Sequence, residues 1–344
     1  MRLRTGALVL SMLFVAAHGA AADERIDLRL DTAEAEAVLA ALETKDAGEI
    51  GRNRAFHRIF TSEAYVRLKK REASLHRDFT DGEFEAFVLS PGLTERAPAL
   101  RRTLDAWKKE DLVAAARRVL PYLPEQAVIR AKVYIVIKPK TNSFVFELAT
   151  DPAIFLYLDP EKTAAQFANT VAHELHHIGF SSVKRDAAEA NAPFGVRKAL
   201  EWMGAFGEGF AMLAAAGSPD IHPHTTSPAA DRERWDRDMA HVDDDLKTLE
   251  KFFLDVLDGR LKTEAEIDEK GYSFFGVQGP WYTVGYRMAV VIEKRDGRKA
   301  LVACMADPRR LLAAYDRAAA EINATAQRPL ALWSGELLKK IGAQ

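Results

Sequence analysis

A single cysteine, Cys304, serves a chain of 344 residues. No internal disulfide can form, so the fold must rest on buried apolar surface. Its neighbours Leu301, Val302, Ala303 and Met305 are apolar, and the sequence therefore reads Cys304 as a small buried residue rather than a reactive thiol. An excess of one charge is also lacking: 48 Lys and Arg stand against 50 Asp and Glu, a net of −2 with a sequence pI near 6.5. That balance supplies no global basic field, and no nucleic-acid partner is expected. The 20 glycines and 14 prolines are too few and too scattered for a collagen-like or low-complexity chain. At 48% hydrophobic and 28% charged the chain is neither a disordered polymer nor a coiled-coil rod. Past the N-terminus no apolar run approaches the roughly 18 residues of a membrane span.

The sequence opens with a leader pattern. Arg2 and Arg4 precede an apolar stretch from Ala7 to Ala17, and Ala20 to Ala22 place small residues at both −3 and −1 of a cut before Asp23. Residues 1–22 are read as a cleaved signal peptide, with no cysteine near the cut to carry a lipid. The mature protein is then expected outside the cytoplasm, periplasmic or secreted, without stable membrane insertion. Losing two arginines and no acid takes its net charge from −2 to −4.

Residues 23–130 are expected to form a helical N-terminal region. Ala35, Val38, Leu39 and Leu42 give one stripe at helical spacing, and Leu100, Leu104, Trp107, Leu112, Ala115 and Val119 another. Between 131 and 158 β-branched and aromatic residues take over. Val133–Ile137 reads as a strand, Lys138–Asn142 as a turn, Ser143–Phe146 as the returning strand and Ala153–Leu158 as a third. From Thr163 helices resume to the C-terminus, broken by loops at 218–229 and 271–280. The expected class is mainly α with a small β-sheet (α+β), with residues 131–344 as the catalytic region.

Directly after the third strand lies His173-Glu174-Leu175-His176-His177, the His-Glu-x-x-His pattern of zinc peptidases. With only 9 histidines in the chain, chance is a poor source of such a match. On a helix at about 100° per residue, His177 lies about 40° from His173, while Phe167, Val171, Leu175 and Ile178 fall about 120–200° away. The histidines share a face that the apolar stripe leaves open, as a metal needs. Glu174 flanks the pair, placed to act on a water. His176 is expected as a surface residue or as a support to the ligands.

Two imidazoles leave a tetrahedral catalytic site needing a third protein ligand and an open position. No histidine stands where a third one would fall in one zinc-peptidase class. Glu189, Glu201 and Glu208 are the candidates. Gly204, Gly207 and Gly209 make an unbroken helix from Glu201 unfavourable and permit close helix approach around Glu208, which favours Glu208. His222 and His224 lie in a polar loop, read as exposed rather than as a second metal site.

With these residues in view, the sequence resembles the gluzincin metallopeptidases, and more closely a family of uncharacterised bacterial zinc-dependent peptidases. The resemblance rests on His173–Phe180, on Glu208-Gly209-Phe210-Ala211 and on Tyr282-Thr283-Val284-Gly285-Tyr286-Arg287-Met288-Ala289. It implies a zincin-like core, one zinc ion held by His173, His177 and Glu208, and Glu174 as catalytic acid and base toward a peptide or protein substrate. It also implies that a downstream tyrosine stabilises the oxyanion, with Tyr282 preferred over Tyr286, and that Leu156-Tyr157-Leu158 form an edge strand for an extended peptide. The interval from His177 to Glu208 departs from the family pattern in being longer than usual for gluzincins.

Two other classes of function fit part of the pattern. A di-iron carboxylate protein would need a second Glu-x-x-His besides Glu174-x-x-His177, and none occurs. A non-catalytic zinc-binding envelope protein would have no need of Glu174.

Overall fold

The computed structural model describes residues 24–43, 48–183 and 191–343; the expected signal peptide lies outside them. No helix among the described residues is long and apolar enough to cross a membrane. Contacts group the described residues into two compact units, one drawn from Met1–Arg117 and Val128–Ser182, the other from Arg118–Ala127 and Val183–Gln344.

The first unit opens with strand β1 (Ile26–Asp31), then helices α1 (Ala33–Glu43), α2 (Gly48–Phe60), α3 (Glu63–Ser74), α4 (Asp81–Val88) and α5 (Pro91–Trp107). The division at Arg117 falls inside α6 (Leu112–Val119), and the unit resumes with β2 (Ile129–Val136), β3 (Phe144–Phe146), β4 (Ala153–Tyr157) and α7 (Ala164–Ser181). The four strands form one sheet in the order β1-β2-β4-β3. β1 is not among the expected strands, although Ile26, Leu28 and Leu30 alternate with Asp27, Arg29 and Asp31, the period of a half-covered strand. It pairs parallel with β2, Ile26 opposite Ile129.

The hairpin expected between 133 and 146 does not form. β4 runs parallel to β2 and lies between it and β3, which pairs antiparallel with β4. All five β4 residues are buried, and a strand apolar on both faces is best satisfied in the interior of a sheet. The half-exposed β3 takes the edge. Leu156, Tyr157 and Leu158 run on past the stretch of β4 that β3 covers: on the β2 side the Leu158 N–H donates to the Val136 carbonyl at 2.9 Å, and on the other the Tyr157 N–H donates to Ser143 Oγ at 3.2 Å.

On one face of this sheet Tyr134, Val136, Ala153 and Phe155 pack against Ala64 and Leu68 of α3. The alternate residues Val133, Ile135, Ile154 and Leu156 are equally buried, and α7 packs on β2. Helix α7 starts at a reciprocal cap: Thr163 Oγ1 accepts from the Gln166 N–H and Gln166 Oε1 from the Thr163 N–H, which satisfies two otherwise orphaned donors. Its buried stripe is Phe167, Val171, Leu175 and Ile178, the set expected from spacing, with Phe167 stacked on Trp107 at 4.5 Å between centroids.

The second unit is helical: a 3₁₀ turn at Leu120–Tyr122, α8 (Phe194–Met203), a second 3₁₀ turn at Gly204–Phe206, α9 (Gly207–Ala216), α10 (Ala229–Ala240), α11 (Val242–Leu257), α12 (Glu264–Ser273), α13 (Pro280–Asp296), α14 (Arg298–Cys304), α15 (Pro308–Asn323) and α16 (Gly335–Ile341). α13 is the hub, packed by α9, α11, α14 and α15. Trp281 near its start is fully buried, among Phe206, Phe253 and Phe274, and its indole N–H donates to the Gly271 carbonyl at 2.9 Å. The protein as a whole is mainly α with a small sheet.

Candidate metal centre

On α7, His173 and His177 are half-buried, one turn apart, with their Nε2 atoms 3.1 Å from each other. Two imidazole nitrogens on one tetrahedral zinc, each about 2.05 Å from it, stand about 3.4 Å apart. The pair thus has nearly the spread that two ligands of one ion require. Glu174 is half-buried beside them. His176 departs from the expectation of a surface residue: it is 1% exposed and lies parallel to the Phe180 ring at 6.4 Å.

Glu208 occupies the first turn of α9, where an acidic side chain is favoured by the helix dipole. The helix from Glu201 is interrupted as its glycines suggest, by the 3₁₀ turn Gly204–Phe206. The close approach permitted at Gly209 is made to α13. A Cβ on Gly209 would stand 2.0 Å from the Tyr286 nitrogen, and one on Gly285 would stand 2.4 Å from the Phe206 carbonyl oxygen. Gly285 belongs to the tyrosine motif, but sequence reasoning misses its pairing with Gly209, since neither glycine shows its partner in sequence.

Among the described residues, one group of at least three histidine, cysteine, aspartate or glutamate side chains could hold a metal ion: His173, His177 and Glu208, with one ligand atom of each within 4.8 Å of the others. Glu201 points elsewhere, 60% exposed and paired with Lys198 at 2.9 Å. Glu189 lies outside the described residues.

The two tyrosines share α13 but differ in surroundings. Tyr286 is buried edge-on against Trp235, 5.3 Å between centroids, and burial pushes its hydroxyl up to about 12. Tyr282 is half-buried in the first turn, beside the loop that carries Phe275. Next to it Thr283 donates to Asp245 at 2.8 Å, fixing the start of α13 to α11.

His222 is hydrogen-bonded to Asp236 at 2.9 Å, and its Nδ1 accepts from the His224 N–H at 3.0 Å. His224 is buried rather than exposed, and burial lowers its pKa. Neither belongs to a second donor group of three among the described residues. Cys304 is buried, as expected, and burial raises its thiol to about 11, so it is a poor nucleophile at neutral pH.

Residues 53–324 match the profile of the family described as "Putative zinc dependent peptidase (DUF5700)". No curated protein and no solved structure matches the chain.

Proposed function

The chain belongs to that family, and from this premise we propose that it is an exported zinc metallopeptidase of gluzincin type with a zincin-like core. The observation that carries the reading is the clustering of His173, His177 and Glu208 donor atoms within 4.8 Å, with Glu174 adjacent in sequence to the first ligand. One zinc ion fits this set: two imidazole nitrogens and a carboxylate make three protein ligands and leave a fourth position open. When bound there, zinc supplies Lewis acidity that brings a water near neutrality in pKa.

The remaining work falls to the chain's own groups. Glu174 takes the proton of the attacking water and passes it to the departing amine, a general base that becomes a general acid. Tyr282 is the better oxyanion donor, because it is half-buried in the first turn of α13 whereas Tyr286 is packed on Trp235; a preorganised hydroxyl there stabilises charge developing on the carbonyl oxygen. The substrate is a peptide or protein outside the cytoplasm, in keeping with the leader pattern of residues 1–22.

Glu174→Gln tests the assignment. The variant is expected to keep near-stoichiometric zinc, read by elemental analysis, while hydrolysis of a mixed peptide library falls by about 10³ or more. Loss of the metal, or hydrolysis at the parent rate, would overturn the role given to Glu174.

A further inference from the structure

On the α3 side of its sheet the first unit contains a cavity of about 330 Å³, to which Leu68, Phe79, Phe84 and Phe87 contribute apolar walls and Lys138 and Lys140 a basic one. The volume lies at the lower end of sites that hold small molecules. No residue of α7 lines it.

Lys138 makes this cavity unusual. It is only 4% exposed, yet the oxygens it meets are neutral: its ammonium donates to the Lys140 carbonyl and to Asn142 Oδ1 at 2.8 Å. An ammonium has a third N–H to place. The two carboxylates that act most on Lys138, Glu72 and Glu34, are engaged or uncharged. Glu72 is held by Arg71 at 2.6 Å, Lys140 at 3.2 Å and Arg77 at 3.7 Å. Glu34 is pushed up to about 8 by burial and keeps its proton at neutral pH. Burial, with Arg71 nearby, depresses Lys138 to about 8, the signature of a cation short of a counter-ion. Buried charges are as a rule paired, and among the described residues no carboxylate forms an ion pair with Lys138, whose partners are neutral oxygens.

We propose that this cavity binds a small monocarboxylate with an apolar body, its carboxylate against Lys138 Nζ and its chain among Phe79, Phe84 and Phe87. A single negative charge matches the single ammonium of Lys138, which otherwise has the Phe144 and Tyr157 rings at 5.6 and 6.0 Å. A dianion such as phosphate would meet Glu72 in the wall and Asp78 and Glu83 also lining the cavity. Glu83 is partly occupied in capping α4, where it accepts from Thr80.

Isothermal titration of the full chain with octanoate, octanol and octylamine decides the matter. Octanoate is expected to bind one to one, at least tenfold more tightly than octanol, and octylamine not at all. Lys138→Met, which replaces a buried charge by an apolar side chain of similar length and should fold, is expected to bring octanoate down to the level of octanol. Absence of octanoate binding at millimolar concentration, equal binding of the three ligands, or an undiminished preference in Lys138→Met would overturn the proposal. The three ligands compared on the unaltered chain remain decisive should the variant not fold.

Discussion

Glu201 and Glu208 lie seven positions apart, and their surroundings differ in the way that matters for a ligand. Glu201 spends its charge on Lys198 at the surface, whereas Glu208 is half-buried with a donor atom near both histidines. Glu208→Gln is therefore expected to weaken zinc binding by tenfold or more, and Glu201→Gln to leave zinc content unchanged, both read by competition with a chelator of known affinity. Zinc lost from the Glu201 variant alone would reverse the choice. The histidine pair was legible in the sequence because an i,i+4 relation is local and needs only the helix period. Lys138 was not: a lysine after an apolar run reads as the start of a turn, and only the packing of α3 and the strands around it reveals that it is buried.

Between elements, the junction of α9 and α13 is set by two glycines that take the place of side chains. Because a Cβ on Gly209 would stand 2.0 Å from backbone, Gly209→Ala forces the helices apart and is expected to cost ~3 kcal/mol. At Gly204 no described atom stands within 4 Å of where a Cβ would lie, and the dihedrals are helical, φ −58° and ψ −24°, so Gly204→Ala is expected to gain about 0.5–1 kcal/mol. Urea denaturation of the two variants checks both signs. The helical stripes of α1, α5 and α7 are legible in periodicity, since each buries one face. The order of the strands is not: Ser143–Phe146 sits one short turn after β2 and looks like its partner, but pairing is decided by which strand can bury both faces, and that is β4.

Across the molecule, stability should carry the mark of Glu34. It is fully buried, its Oε2 accepts from the Ile137 N–H at 2.9 Å and its Oε1 has no hydrogen-bond partner among the described residues, so burial holds the proton on it up to about pH 8 against an ordinary value of 4.5. Between those limits the folded state binds the extra proton. The contribution is full below about pH 4.5 and is lost as pH rises through 8, with a slope of about 1.4 kcal/mol per pH unit. Asp316, raised by burial to about 6, acts in the same direction over a narrower range. Glu34→Gln keeps the acceptor and is expected to flatten the decline, as measured by urea unfolding at pH 5, 6, 7 and 8; an unaltered slope would show that Glu34 does not set it. The single cysteine and balanced charge foretell a fold carried by its core, but not its division, because the units are not consecutive in the chain: Arg118–Ala127 groups with the segment from Val183 to the C-terminus. That arrangement fixes an order of events during synthesis. Tyr122, 2% exposed in the finished protein, bonds to Glu293 and stacks under Arg298, both of which leave the ribosome 171 or more residues later. At ordinary elongation rates that is roughly ten to thirty seconds, during which Leu120, Tyr122 and Leu123 have no native partner from the distal helices, and any factor that guards nascent apolar segments has its opening there.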